Sequence, residues 1–199
     1  LTVPKSTLSY WLKNIKISKQ AQKKISRRAY FKSVEALIKR NKNQTVVADL
    51  KAQNIIKKSA EEANKLVNDK LFIAGVSLYW AEGYKKGAYG SKNKNVDFTN
   101  SDPEMVKVMM KFFRKICKIK ENKIKILLMA HPNINIKKTI SFWSKVVKLP
   151  CSQFTKTQTA ISKSSKQKRP INSLLYGTIH IRIYDVAMFY KIIGWIQGL

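Results

Sequence analysis

Residues 71–83 read LFIAGVSLYWAEG, eleven uncharged residues closed by Glu82 and Gly83. A segment apolar on every side predicts a helix that must be covered all round, by its own sheet and by a partner. Ala74, Ser77 and Ala81 recur at i, i+3 and i+7, a stripe of small side chains that lets a second helix approach closely, and large Leu78 lies beside it. If that second helix is the same one in another copy of the chain, two-fold symmetry brings two Glu82 carboxylates together at an interface of Ala74, Ser77, Leu78 and Ala81. Two carboxylates so placed repel unless a cation lies between them, and Mg²⁺ or another divalent ion that prefers hard oxygen ligands is the natural occupant. The competing reading of Glu82 is an acid bound to nearby Lys85 or Lys86. A carboxylate at a helix C-terminus opposes the dipole, so its place there requires a reason.

Outward from this helix the chain reads as alternating elements. The Gly- and Lys-rich YKKGAYGSKNKN (84–95) predicts a first short strand, followed by a second, VDFTN (96–100). Ser101 or Asp102 then caps a helix with Pro103 and Glu104 in its first turn and Met105, Val108, Met109, Phe112 and Ile116 down one face. A strand over 123–129, a helix over 135–147, a strand over 154–161 and a cleanly alternating strand over 176–184 come next, and a helix over 186–197 completes the series. The order over 70–199 is α-β-β-α-β-α-β-β-α, which predicts an α+β fold: a mixed sheet with helices on one face. Its other face carries Thr178, His180, Arg182 and Tyr184 on the alternating strand, a polar concave surface. Asp97 and Asp185 read as turn or cap residues, His131 and His180 as structural, and Trp11, Trp80, Trp143 and Trp195 as core.

Upstream, residues 18–69 lack Gly and Pro and are rich in Lys, Gln, Asn and Ala. They predict one or two long, mostly exposed basic helices, either lying along DNA or acting as a spacer. Residues 3–18 read VPKSTLSYWLKNIKIS, with Leu8, Trp11, Leu12 and Ile15 at helical spacing. This piece (1–17) resembles the recognition helix of a helix-turn-helix whose preceding helix would lie upstream of Leu1. On that resemblance Lys5, Ser6, Thr7, Ser9 and Tyr10 face bases and phosphates. A short amphipathic helix packed on the next segment of chain explains the same letters.

Charge points the same way. Forty Lys and Arg against eleven Asp and Glu give +29. No acid precedes Glu35, and none occurs from residue 122 to 184, where twelve basic residues lie. Such deserts fit surfaces lying against a polyanion, with double-stranded DNA the default partner. Cys117 and Cys151 make no disulfide framework and two His make no zinc cluster, so a reducing, intracellular setting (cytoplasm, nucleoid or an organelle) is expected. The uncharged run of eleven is too short to cross a bilayer. No secretory signal opens the chain, and a start at Leu1 rather than Met predicts an N-terminus further upstream.

The string GVSLYWAEG (75–83) resembles the signature of the LAGLIDADG homing endonucleases, with Ser77 and Ala81 at its small positions and Glu82 at its metal-binding acid. The element order over 70–199 also follows that family, with 135–147 as an extra helix. The resemblance implies a DNA endonuclease that uses a divalent metal held by Glu82 and the Gly83 carbonyl. With only one such motif, it implies a homodimer on a near-palindromic site. Catalytic candidates on this basis are Glu82, Asn100 as a water-positioning residue, and His180 and Arg182 as basic groups near the scissile phosphate. Lys85, Lys86, Lys123, Lys125, Lys156, Lys163, Lys166, Lys168 and Arg169 are expected to contact DNA. Because some proteins of that fold bind DNA without cutting it and others assist RNA splicing, a non-catalytic transcriptional regulator is the alternative, and an RNA-binding role a third option.

Overall fold

The computed structural model describes residues 3–132, 134–155, 157–159 and 174–199. The chain divides into two compact units, Leu1–Leu50 and Lys51–Leu199. The first holds α1 (Lys5–Trp11) and the larger part of α2 (Lys19–Leu66), up to Leu50. α2 is one helix of 48 residues, as a stretch of Lys, Gln, Ala and Glu without Gly or Pro allows. The Ser18 hydroxyl starts it by accepting from the Ala21 amide at 3.2 Å. α1 buries none of its side chains. Trp11 is 63% exposed, which corrects its assignment to a core. Helical spacing shows that a stripe exists but not that anything covers it.

In the second unit, the last turns of α2 are part of the packing. Ala52, Ser59 and Ala63 are buried. Their partner is α6 (Val186–Gln197), whose Gly194 lies so close to Ile56 that an added Cβ would come within 2.4 Å of its carbonyl oxygen. Glu62 accepts from Lys191 at 3.1 Å and from the Trp195 indole at 3.0 Å.

α3 (Lys70–Glu82) begins at Asp69, whose carboxylate accepts from the Leu71 and Phe72 amides. It buries Phe72, Gly75, Val76 and Tyr79, with Gly75 set against the Phe112 ring of α4 (Pro103–Lys115). Asp102 caps α4, Asn135 caps α5 (Ile136–Val147) and Asp185 caps α6.

The sheet runs β1-β4-β2-β3. β4 (Thr178–Ile183) is antiparallel to β1 (Val96–Asn100) and to β2 (Ile124–Ala130), and the two-residue β3 (Gln158–Thr159) lies parallel to β2 at the edge. Alternation along the strands gives it a covered face: Val96, Phe98, Ile124, Ile126, Leu128, Ile179, Ile181 and Ile183 are all buried within the helix-packed core. The architecture is α+β.

The structure corrects several expectations. The first short strand does not form. Lys86–Tyr89 is a 3₁₀ turn closed by Gly90 at φ +95°, and only a single bridge joins Gly83 to Phe98. The left-handed Gly90 reverses the chain where a strand would have continued. The strand expected over 154–161 shrinks to Gln158–Thr159 within the described residues, with Phe154 bridging Ile126. Trp143 and Trp195 are buried as expected, but Trp80 is 54% exposed, because α3 turns it away from the side that packs on the core. Asp97 is neither a turn nor a cap residue. It lies in β1 and binds two basic side chains. Among the described residues, no helix is long and apolar enough to cross a membrane.

Candidate functional site

The end of α3 opens into a groove of about 480 Å³, lined by Glu82 to Lys86, by Tyr89, and by Asp97, Thr99 and His180 from the face of the sheet opposite the helix-packed core. The Gly83 amide still donates to the Tyr79 carbonyl at 2.8 Å, but at φ −79° and ψ 153° Gly83 is extended, which ends the helix. A side chain there would strike the Tyr79 carbonyl and ring, so only glycine fits this close approach. Beneath it, the Tyr79 hydroxyl donates to the Tyr84 carbonyl at 3.0 Å. Burial pushes that hydroxyl well above the usual tyrosine range and keeps it neutral.

The Lys85 ammonium donates to the Trp80 carbonyl at 2.6 Å and to the Gly83 carbonyl at 2.9 Å. A cation on the last carbonyls of a helix satisfies groups that have no intrahelical partner and answers the negative end of the dipole. Glu82 itself is exposed, and no ion pair engages it among the described residues. The charge expected to neutralise it is spent on the backbone instead.

Asp97 organises the neighbouring sheet face. Its Oδ2 accepts from the Arg182 guanidinium at 2.8 and 2.6 Å, and its Oδ1 lies 3.2 Å from His180 Nδ1. The Thr99 hydroxyl is 2.8 Å from the same nitrogen, and His180 Nε2 faces the Met129 sulfur. Burial alone would raise the Asp97 carboxyl, but hydrogen bonds from His180 and Arg182 outweigh it and hold the group below the usual carboxylate range. The strand register aligns Asp97, Arg182 and Lys125 in one row across the sheet and Thr99, His180 and Leu127 in the next.

The structure therefore brings Glu82, Gly83, Lys85, Lys86 and His180 to one groove, and connects Arg182 to it through Asp97. Lys125 shares the sheet face. Lys123 ends an exposed 3₁₀ turn just before β2. Asn100 does not line the groove, and its side-chain oxygen accepts from the Ser101 and Asp102 amides at 2.8 Å each, shaping the turn into α4. On α3, Ser77 and Ala81 are exposed and Ala74 and Leu78 half-buried, on the side away from Phe72, Gly75, Val76 and Tyr79. In the other unit, Lys5, Ser6, Ser9 and Tyr10 are exposed and Thr7 is half-buried. Lys156, Lys163, Lys166, Lys168 and Arg169 lie outside the described residues.

Asp97, Thr99, Tyr84 and Tyr89 are site residues that the sequence reading misses. A signal for Asp97 exists: alternation in VDFTN places an acid on the same face as His180 and Arg182. As a divalent-cation site, one chain offers the exposed Glu82 carboxylate, which fits a hard ion, and the Gly83 carbonyl, which Lys85 already occupies. Among the described residues, no three His, Cys, Asp or Glu side chains cluster to hold an ion. No family model, curated protein or solved structure matches the chain.

Proposed function

We propose that the chain is a DNA-binding protein of the LAGLIDADG type, acting as a homodimer that hydrolyses phosphodiester bonds with a divalent metal. The observation that carries this reading is the division of α3. One side is packed into the core, while the small-residue side, with Ser77 and Ala81 exposed and Ala74 half-buried, leads to an exposed Glu82 that has no ion-pair partner among the described residues and lies beside a basic groove. A second copy of α3 on that side would supply the missing cover and bring a second carboxylate to the first. A divalent ion held there by Glu82, with the Gly83 carbonyl as a second ligand, would supply Lewis-acid chemistry to phosphodiester hydrolysis. Lys86 would bind the phosphate, and the Asp97–His180 pair would fix a ring nitrogen at the groove wall. The excess of 29 positive charges supports a polyanionic partner, and the basic α2 and the exposed polar positions of α1 would extend its contacts.

One observation favours a second reading, a transcriptional regulator that binds DNA without cutting it. The Lys85 ammonium sits on the Gly83 carbonyl, where the metal of a nuclease would be expected to compete for it. Incubation with a randomised duplex DNA library and Mg²⁺, comparing wild type with Glu82→Gln, separates the two. Discrete cuts that disappear in the variant support the nuclease. Equal binding by both proteins with no cuts from either leaves the regulator.

A further inference from the structure

Tyr89 is 84% exposed, yet the turn that carries it is braced at its base and not at its tip. At Gly87 a Cβ would come within 2.5 Å of the Asn93 carbonyl oxygen and 2.8 Å of the Phe189 ring, so the base of the turn is pressed onto α6. The Ser91 amide donates to the Lys86 carbonyl at 3.1 Å, and the Tyr84 hydroxyl donates to the Ser91 hydroxyl at 2.8 Å. Gly90, at φ +95° with nothing near a Cβ position, turns the chain back directly after Tyr89. The exposed Tyr89 thus lines the same groove as Lys86, Thr99 and His180.

An exposed aromatic side chain on a groove that the exposed Lys86 also lines matches one chemistry in a polyanion, the face of an unstacked base whose backbone the lysine neutralises. In a stacked duplex the base faces are covered, and a side chain reaches only base edges and phosphates. We propose that Tyr89 is a base-stacking subsite that takes an unpaired base of nucleic acid lying in this groove. The inference rests on the nucleic-acid reading above and adds to it that the strand is opened, or already single, where it meets the groove.

Fluorescence anisotropy with a labelled single-stranded DNA of about 20 nucleotides, and with its duplex, tests this in wild type, Tyr89→Ala and Tyr89→Phe. Tyr89→Ala is expected to weaken single-strand binding by about 5- to 150-fold, while Tyr89→Phe, which keeps the ring, stays within about twofold. Duplex binding by all three proteins is expected to agree within about twofold. Equal single-strand affinity for wild type and Tyr89→Ala, with binding intact, overturns the stacking subsite and leaves the nucleic-acid reading standing. Failure of wild type to bind either DNA overturns both.

Discussion

Replacing Asp97 with asparagine keeps the shape of the side chain and removes the charge that ties β1 to β4. The wild-type carboxylate is 12% exposed, and it holds an Arg182 that is 29% exposed and a His180 that is 16% exposed. Taking one partner from a fully buried pair costs about 3 to 5 kcal/mol, because the other charge is stranded. Arg182 can still reach water through its exposed part, so the expected loss is lower, about 1 to 3 kcal/mol. For a chain of this length that is a fall in melting temperature of roughly 2 to 12 °C. Binding is expected to move the other way. Arg182 and Lys125 lie side by side in the register, and without Asp97 the Arg182 charge beside Lys125 is left uncompensated. If this face lies against phosphates, duplex DNA binds more tightly, and the slope of log affinity against log salt steepens by roughly one. Thermal denaturation and salt-dependent anisotropy on the same variant read both effects. An unchanged melting temperature would refute the ion-pair reasoning, and a lower melting temperature with weaker DNA binding would refute the placement of phosphates on this face.

The same group sets an acid-sensitive window. Its folded value lies below the unfolded 3.8, so its contribution is whole at neutral pH and is lost as the pH falls below 3.8 through the folded value. The stability difference between wild type and Asp97→Asn, measured by urea denaturation, is expected to shrink as the pH falls below about 3.8. Gly194→Ala would ordinarily gain about 1 kcal/mol as a helix substitution. Here the added carbon would meet the Ile56 carbonyl oxygen at 2.4 Å and the Ser59 Cβ at 2.7 Å, so a net loss of about 1 to 3 kcal/mol is expected by the same denaturation. Glu82→Gln, at an exposed position with no ion pair among the described residues, is expected to leave the melting temperature unchanged within about 1 °C.

The elements that were legible in the sequence are those whose signals are local. Asp102 with Pro103, Asn135, and Asp185 each start a helix through a side-chain oxygen on the next amides, and Ile179, Ile181 and Ile183 alternate without a break. What stayed hidden depends on partners distant in the chain. Asp97 meets Arg182 across 85 residues of sequence, and nothing local marks that pairing. The last turns of α2 read as a polar helix because the residues fully buried there are small, Ala52, Ser59 and Ala63, with Ile55, Ile56 and Leu66 only partly covered. Their counterparts are Gly194 on α6 and Gly198 just past its end, which lie against Ile56, Ser59 and Ala60 and read by themselves as poor helix sequence. Trp11 and Trp80 show the opposite failure, since an apolar stripe is the same in sequence whether a core covers it or not. Glu82 was legible as an acid with no local reason for its position, and the groove beside it was not, because the 3₁₀ turn at Lys86–Tyr89 replaced a strand that the letters allowed.

Pairing of the two Glu82 carboxylates requires that α3 meet a second α3 along Ala74, Ser77 and Ala81. Oxidative cross-linking of Ser77→Cys, in a chain whose exposed Cys151 is replaced by serine, measures this directly. Two helices crossing on this stripe bring the position-77 Cα atoms within the roughly 7 Å that a disulfide spans. The expected result is a covalent dimer that forms rapidly and disappears under reductant. A chain that stays monomeric under the same oxidation, with and without duplex DNA, would contradict the pairing of the two Glu82 carboxylates.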